Sequence, residues 1–390
     1  MMGEPDDFTA IEIIEWLVGD ECQHGTGLFL AEQLGLKLRQ AGVQLDRLNL
    51  HMRTLHPEIL AHRIGWAPGQ DATELFIEHG HRLTPIFQGS SLRQVMTHRI
   101  WVRERLDQAD PGAIAYYETI GAEGLVEMVF APLVNADGTV SAVSFGTSRP
   151  AGFADAEMRL FERLQKPLRT VMELKTLRAI GETLLETYIG PGTGKRILAG
   201  HIQRGDMQLV DAALMFCDLR GFTQLSNRVA NMRVIELLNR YFDQIIPAIN
   251  AEGGEVLKFM GDGILAFFHH EAGPDAACAA AQRAAQAGLA KLALVQEPDA
   301  ELHAGMALHH GIVGYGNVGS GRRLDFTVIG RDVNLTSRIE TVCSLTGKPI
   351  LMSGRFAAHL DHPATVSAGF HHLKGFDEPV ELFSWEGDAA

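Results

Sequence analysis

Four stretches of the chain carry apolar residues every three or four positions, a spacing that predicts amphipathic helices. The N-terminal stretches 8–18 and 28–41 predict two packed helices, and Gly42 marks the end of the second. Stretches 231–250 and 275–294, the latter rich in alanine, predict two further helices in the second half of the chain.

Alternating apolar and polar residues predict strands between these helices. Segment 48–53 alternates in this way, and 74–77 is a shorter candidate. Residues 124–148 predict two antiparallel strands connected by the turn 135–138, which ends in glycine. Stretch 305–330 predicts another strand pair with a glycine-rich turn.

Two short apolar strands within 212–268 each end in an aspartate beside a glycine, Asp218 in FCDLRGF and Asp262 in KFMGDGI. Carboxylates together with substrate phosphates are the ligands that Mg²⁺ prefers, and two adjacent ions support nucleotidyl transfer. The alternative is that both aspartates are ordinary turn residues. The carboxylates are predicted to lie at the sheet's edge, open to solvent. The side chains predicted to be buried are Leu214, Phe216, Ile264, Ala266 and Phe268.

Three segments resemble the class III nucleotide cyclases. FCDLRGFT and EVLKFMGDGILAFF are similar to the two metal-binding segments of that family, and RRLDFTVIGRDVNLTSRIE is similar to its transition-state segment. The segments follow the family's order, and the resemblance covers 211–385. It implies a ferredoxin-like α+β catalytic domain, which agrees with the strand, helix, strand order of the pattern.

The resemblance also implies a metal site and a base-recognition site. Asp218, Asp262 and the backbone carbonyl of Leu219 are expected to hold two Mg²⁺ (or Mn²⁺) ions. Lys258 and Thr327 match the positions that recognise the purine. The remaining residues expected to bind substrate are Phe222, Thr223 and Arg322.

Asn334 and Arg338 lie four residues apart and therefore on one helical face. They match the family residues that orient the ribose and stabilise the charge developing on phosphorus. Arg322, beside Arg323, is expected to contact the terminal phosphates, and an ordinary charged hairpin turn is the alternative. In the family these groups meet across a dimer interface, so the resemblance implies a homodimer.

The pair Lys258 and Thr327 favours adenine, because guanylyl cyclases usually carry Glu and Cys or a similar pair there. A threonine in place of the more common aspartate is similar to class IIIb, some of whose members respond to bicarbonate. The implied reaction converts ATP into 3′,5′-cyclic AMP and diphosphate. The alternatives are a guanylate cyclase and a catalytically silent relative that acts as a binding module, although every required residue type is present.

The predicted hairpin and the amphipathic helix after it, within 124–174, resemble the last third of a GAF domain, a small-molecule sensor fold. Asp155 is the predicted N-cap of that helix, and Pro167 predicts a kink or a boundary within it. An apolar stripe on this helix suits either a parallel contact with a second helix or packing on its own domain. The stripe consists of Phe161, Leu164, Leu168, Val171, Leu174 and Leu177.

The segment GPGTGK predicts a non-helical hinge, because a phosphate-binding loop would need a different spacing before Lys-Ser or Lys-Thr. The chain is therefore expected to divide into a GAF-like sensor domain with N-terminal helices at 1–155, a signalling helix and linker at 156–205, and a catalytic domain at 206–390.

The composition and charge of the chain limit the kinds of partner and the cellular compartment that it suits. The chain has 390 residues, 46% of them hydrophobic and 21% charged, which suits a folded protein of two or three domains. A net charge of −14 argues against nucleic acid as a partner. The sequence has four scattered cysteines, no membrane-spanning apolar run and an acidic N-terminus without a signal-peptide pattern. These features predict a cytoplasmic protein with no transmembrane segment and leave peripheral attachment to a membrane open.

The sequence alone does not identify the ligand of the predicted sensor domain. The chain has 17 histidines, many of them N-terminal, which raises haem or a metal as a candidate, although the HGH spacing matches no zinc site. A small metabolite, a cyclic nucleotide, or a degenerate sensor that serves only for dimerisation are the alternatives. The residues that raise the haem or metal idea are Cys22, His24, His51, His56, His62, His79, His81 and His98.

Overall fold

The computed structural model describes residues 7–80, 84–109, 117–298, 300–321, 323–360 and 365–385. The chain forms two compact units, Met1–Leu184 and Leu185–Ala390. Each unit is built around one sheet. Within the described ranges, no helix combines the length and the apolar character that crossing a bilayer requires.

The first unit contains a six-stranded antiparallel sheet with the order β3-β2-β1-β6-β5-β4. The predicted strands at 48–53 and 74–77 and the predicted hairpin are confirmed, and Gly138 takes a φ of 82° in the hairpin turn. The pattern missed β2, in which adjacent His62 and Arg63 interrupt the alternation. The strands are β1 (Arg47–Arg53), β2 (Ile59–Trp66), β3 (Thr73–Glu78), β4 (Val102–Arg105), β5 (Glu127–Val134) and β6 (Val140–Thr147).

Both predicted N-terminal helices are confirmed. The Thr26 hydroxyl accepts a hydrogen bond from the Phe29 amide at 3.1 Å and caps α3. Residues of α1 and α3 pack into the main core on one face of the sheet, and α5 contributes to a smaller cluster with β5 and β6. The short helices were not predicted. The helices are α1 (Asp7–Val18), α2 (Asp20–His24), α3 (Gly27–Gln40), α4 (Pro85–Gln88) and α5 (Ser91–His98).

Helix α6 spans Asp155–Ile189 and runs through Pro167. Asp155 is its first residue, so the N-cap prediction was wrong. The carboxylate of Glu157 instead accepts a hydrogen bond from the Ala154 amide at 2.6 Å, because a glutamate in the first turn can reach back to the cap.

The apolar stripe of α6 divides into two parts. Phe161, Leu164, Leu168 and Val171 are buried in the first unit's core, and the ring of Phe161 stacks on that of Phe145 with centroids 4.0 Å apart. Packing on its own domain was therefore the correct alternative for this half. Further along, Leu174 and Leu177 are exposed.

The predicted non-helical hinge was wrong, because α7 spans Pro191–Leu198. Gly190, with a φ of 89°, ends α6, and Pro191 begins the next helix with a φ already suited to it. The buried hydroxyl of Thr193 lies 2.9 Å from the Tyr315 hydroxyl, and the Thr193 amide donates to Glu255 at 2.7 Å. These contacts hold α7 against the second sheet.

The second sheet has the order β13-β14-β12-β10-β7-β9-β8, with β11 paired to β10. The succession from β7 to β10 places β10, β7, β9 and β8 side by side with every neighbouring pair antiparallel, which is the predicted ferredoxin-like arrangement. The strands are β7 (Met207–Leu219), β8 (Glu255–Met260), β9 (Gly263–Phe268), β10 (Ala304–Ser320), β11 (Arg323–Ile329), β12 (Ile350–Ser353), β13 (Thr365–His371) and β14 (Val380–Trp385).

Helices cover both faces of this sheet. Residues of α9 and α10, which confirm the predictions for 231–250 and 275–294, fill one face, and α11 packs on the other. The four cysteines are buried, as the prediction of core packing requires. The helices are α8 (Phe222–Arg228), α9 (Asn231–Ala251), α10 (Pro274–Leu292), α11 (Arg331–Thr346) and α12 (Gly354–Ala357).

Candidate active site

Two carboxylates meet at one edge of the second sheet. Strands β7 and β9 are neighbours, with Cys217 opposite Ile264, so Asp218 and the turn before β9 lie together. Gly261, with a φ of 71°, allows the tight turn that carries Asp262. Both aspartates are half-buried. The structure therefore brings together the two residues that the sequence selected.

The two carboxyl groups interact strongly. Burial, the negative charge of Asp262 and that of Glu340 raise the pKa of Asp218 to about 7, and a hydrogen bond between the two aspartates adds to the shift. A divalent cation would relieve this repulsion, and paired carboxylate oxygens are hard donors of the kind that Mg²⁺ prefers. The residues present thus fit a metal ion.

No group of three or more His, Cys, Asp or Glu side chains arranged to hold a metal occurs in the described part of the chain. A metal at Asp218 and Asp262 would therefore need further oxygen donors, such as a backbone carbonyl or substrate phosphates. The predicted carbonyl donor belongs to Leu219, the last residue of β7, whose side chain is buried.

Arg220 and Glu340 were not selected from the sequence, although both stand inside the quoted motifs. Arg220 donates to the carbonyls of Gly347 at 2.6 Å and of Lys348, which follow the end of α11. Burial raises the pKa of the Glu340 carboxyl, and the positive charge of Arg220 opposes that rise. The end of β7, which carries Asp218, is thus tied to the C-terminal end of α11.

A buried network holds the other end of α11. The carboxylate of Asp332 accepts a hydrogen bond from the Ile312 amide at 3.1 Å and lies 3.2 Å from Nε2 of His309. Nδ1 of His309 lies 2.6 Å from the Ser353 hydroxyl. Position 311 must be glycine, because a Cβ there would lie 2.3 Å from a carboxylate oxygen of Asp332. These contacts position the first turn of the helix that bears Asn334.

Asn334 is exposed on α11 and Arg338 is half-buried, whereas Glu340 is buried. An α-helix turns by 100° per residue, so Arg338 and Glu340 point in nearly opposite directions. Since Glu340 lies close enough to raise the pKa of Asp218, Arg338 faces away from the carboxylate pair of its own chain.

The predicted base-recognition residues lie on β8 and β11. The ammonium of Lys258 contacts the carboxylate of Asp325. Thr327 is two residues further along β11, on the same face, and is buried. Asp325 is thus a site residue that sequence reasoning missed, because only the contact of β11 with β8 brings it to Lys258.

Two of the three other residues predicted to bind substrate lie within the described part of the chain. Phe222 and Thr223 lie in the first turn of α8, shortly after the end of β7 that carries Asp218, and Gly221 precedes them with a φ of 69°. Arg322 lies outside the described residues, while its neighbour Arg323 is exposed at the start of β11.

Several known proteins are similar to this chain over most of its second unit. Residues 206–383 match the model of the adenylate and guanylate cyclase catalytic domain. An adenylate cyclase of Anabaena cylindrica is 31% identical over 186 residues, which is 44% of this chain and 36% of that protein. The chain therefore spans about a third of that relative's length.

Two solved structures are similar to parts of the chain. A bacterial light-regulated adenylyl cyclase is 24% identical, with a TM-score of 0.49, and the match covers 57% of this chain and 65% of that one. The adenylyl cyclase CyaB from P. aeruginosa is 28% identical, with a TM-score of 0.41, over 47% of this chain and 99% of that one.

The family match covers the strands and helices that bring Asp218 and Asp262 together. It includes α11 with Asn334 and Arg338 as well. The segment 206–383, which carries all of these side chains, is therefore similar to the adenylate and guanylate cyclase catalytic domain.

Proposed function

We propose that this protein is a cytoplasmic adenylate cyclase that converts ATP into 3′,5′-cyclic AMP and diphosphate. It acts as a homodimer with two Mg²⁺ or Mn²⁺ ions per site, and its first unit, a GAF-like sensor, regulates it by binding a small molecule. The observation that carries the catalytic part is the adjacent pair of carboxyl groups of Asp218 and Asp262 at the strand ends of a ferredoxin-like sheet.

In this proposal, each side chain has a separate task. Asp218, Asp262 and the Leu219 carbonyl hold the ions, which when bound lower the pKa of the attacking 3′-hydroxyl and stabilise charge on the phosphates. Asn334 orients the ribose, and Arg338 donates to the oxygens on which negative charge develops. Phe222 and Thr223 follow Asp218 closely along the chain and contact the substrate.

Lys258 and Thr327 support adenine as the base. The lysine ammonium can donate to N1 of adenine, and the threonine hydroxyl can accept from its 6-amino group. Guanine has a protonated N1 and a 6-oxo group, so the lysine would meet a donor at N1. Guanylate cyclase activity is the alternative within the same family, whose model covers both specificities.

The homodimer is supported by the direction of the Arg338 side chain and by an exposed apolar stripe. Arg338 faces away from the carboxylate pair of its own chain, so a second copy would complete the site. Leu174, Leu177 and Leu184 on α6 are exposed at helical spacing and suit a contact with the same helix of a partner.

The test is nucleotide turnover by wild type, Asp262→Ala and Asn334→Ala, separately and mixed, with ATP or GTP and Mg²⁺ or Mn²⁺. Each single variant should be inactive, and an equal mixture should regain roughly a quarter of wild-type activity, because half of the random dimers then carry one intact composite site. A mixture as inactive as its components would contradict the shared site. A wild type that turns over GTP in preference would establish the alternative, and one inactive with both nucleotides would favour a silent module.

A further inference from the structure

A third carboxylate lies buried beside the acidic pair of the second unit. Glu340 on α11 is only 8% exposed. One of its carboxylate oxygens approaches β10 at Gly305, where it lies 3.5 Å from the position that a Cβ would take. Gly305 is directly opposite Asp218 in the antiparallel pairing of β10 with β7. Opposite residues in such a pair carry their side chains on one face of the sheet, so the carboxylates of Glu340 and Asp218 are neighbours.

The Glu340 carboxylate has no direct partner. Within the described ranges of the chain it takes part in no hydrogen bond and no ion pair. Arg220 lies nearby, with its Nε 3.6 Å from the same Cβ position at Gly305, but this nitrogen also has no hydrogen-bond partner. The terminal nitrogens of Arg220 donate to the carbonyls of Gly347 and Lys348. The hydrogen bonds of Arg220 therefore do not depend on Glu340.

Packing alone does not explain this glutamate. A buried carboxylate without a hydrogen-bonded partner costs folding free energy, because nothing replaces its hydration. Burial raises the pKa of Glu340, the charge of Arg220 opposes that rise, and the charge of Asp262 adds to it. Burial and the charges of Asp262 and Glu340 in turn raise the pKa of Asp218. Three acidic groups thus repel one another, and a divalent cation at the aspartates would offset the charge of all three.

We propose that Glu340 is the third acidic group of the metal site, where its negative charge strengthens the binding of a divalent cation to Asp218 and Asp262 without coordinating the ion. Glu340 acts through the pair and is a positioning residue, because the described residues form no group of three metal-ligating side chains. Groups that surround the ligands of a metal commonly set its affinity. The inference rests on the metal site of the proposed function and deepens it.

The experiment measures Mn²⁺ binding to the full chain at pH 8 without nucleotide, by electron paramagnetic resonance of the free ion. Glu340→Gln removes the charge and leaves Arg220 in place, so the direction of the effect does not depend on how much charge Arg220 offsets. This variant should bind Mn²⁺ about ten-fold more weakly. Glu340→Asp keeps the charge and should bind more tightly than Glu340→Gln. Glu271→Gln, at an exposed position of the same unit, should bind as wild type does.

Two further measurements separate this role from packing. Without metal, Glu340→Gln should unfold at the same temperature as wild type or at a higher one, because an unpartnered buried charge is lost. In turnover of ATP, the Mn²⁺ concentration that gives half of the maximal rate should rise about ten-fold, whereas kcat at saturating Mn²⁺ should change less than about two-fold. A glutamate that only packs would lower the stability and leave the Mn²⁺ dependence unchanged.

Unchanged Mn²⁺ affinity in Glu340→Gln would overturn the inference, and so would equal affinities in Glu340→Gln and Glu340→Asp. Asp262→Ala distinguishes this failure from a failure of the proposed function. If wild type and Glu340→Gln bind Mn²⁺ equally and Asp262→Ala does not bind it, only the role of Glu340 is refuted. If Mn²⁺ binds to wild type and Asp262→Ala equally well, or to neither, the metal site itself is wrong and the inference fails with it.

Discussion

The two units gather charge of opposite sign. In the second unit Asp218 and Asp262 lie close enough for their repulsion to raise a pKa. In the first unit Arg53 and Arg63 line one cavity. Each aspartate ends a strand in a short motif, whereas the arginines become neighbours only through the pairing of β1 with β2. The acidic pair therefore shows in the local sequence, whereas the arginine pair does not.

The largest effect should follow from removing one member of the acidic pair. Asp262→Ala should lower kcat by on the order of 10³, because a preorganised charge at the reacting phosphate is lost. The same change should leave thermal stability without metal unchanged or higher, since it relieves repulsion on Asp218. Asp243→Ala, at an exposed position of α9, is the control. Full activity in Asp262→Ala would show that Asp218 and Asp262 are ordinary turn residues and do not act in catalysis.

The network under α11 tests whether the catalytic half also depends on contacts that the motifs do not show. Asp332→Ala leaves His309 and the Ile312 amide without their acceptor, which should cost about 1–3 kcal/mol of unfolding free energy. It should also lower kcat more than it changes KM, because the contacts that position the first turn of α11, and with it Asn334, are lost. Denaturant unfolding and turnover measure both effects, with the exposed Asp275→Ala as control. An unchanged stability would refute the anchoring role.

His51 gives a pH test of the first unit. Its pKa is about 3 in the folded state and about 6.5 when exposed, so the unfolded chain binds the extra proton as pH falls below 6.5. Stability is therefore complete above that pH and decreases below it, by ~1.4 kcal/mol at pH 5.5. Unfolding at pH 7.5 and 5.5 should show a smaller loss in His51→Gln than in wild type, whereas the exposed His24→Gln should behave as wild type. Equal losses in all three proteins would contradict the burial of a neutral ring.

The smallest effect is expected at Asp325. Its contact with Lys258 is largely exposed, so Asp325→Asn should change stability by less than about 1 kcal/mol. Lys258 then has no charged partner holding it near the base, and KM for ATP should rise a few-fold with little change in kcat. Steady-state kinetics with ATP and GTP measure this, with Asp377→Asn as an exposed control. A loss of kcat alone would indicate a different role.

One wrong prediction and one alternative that the sequence left open have the same cause. The hinge at GPGTGK was predicted from glycine content, but Thr193 packs on the second sheet and stabilises a helix there. The first half of the α6 stripe was left open between two partners, and only the fold shows that Phe161 faces its own sheet. Local propensity is weak compared with tertiary packing, so such elements are decided by what they pack against.

The sequence by itself determined the ferredoxin-like order of the second unit, the positions of Asp218 and Asp262 at strand ends, and the helical spacing of Asn334 and Arg338. These follow from periodicity and short motifs, which are local properties of the chain. The tertiary structure alone decided that Asp325 meets Lys258 and that Arg53 and Arg63 line one cavity. Those contacts depend on strand register and on which sheet face a helix covers, and both are settled by packing between distant segments.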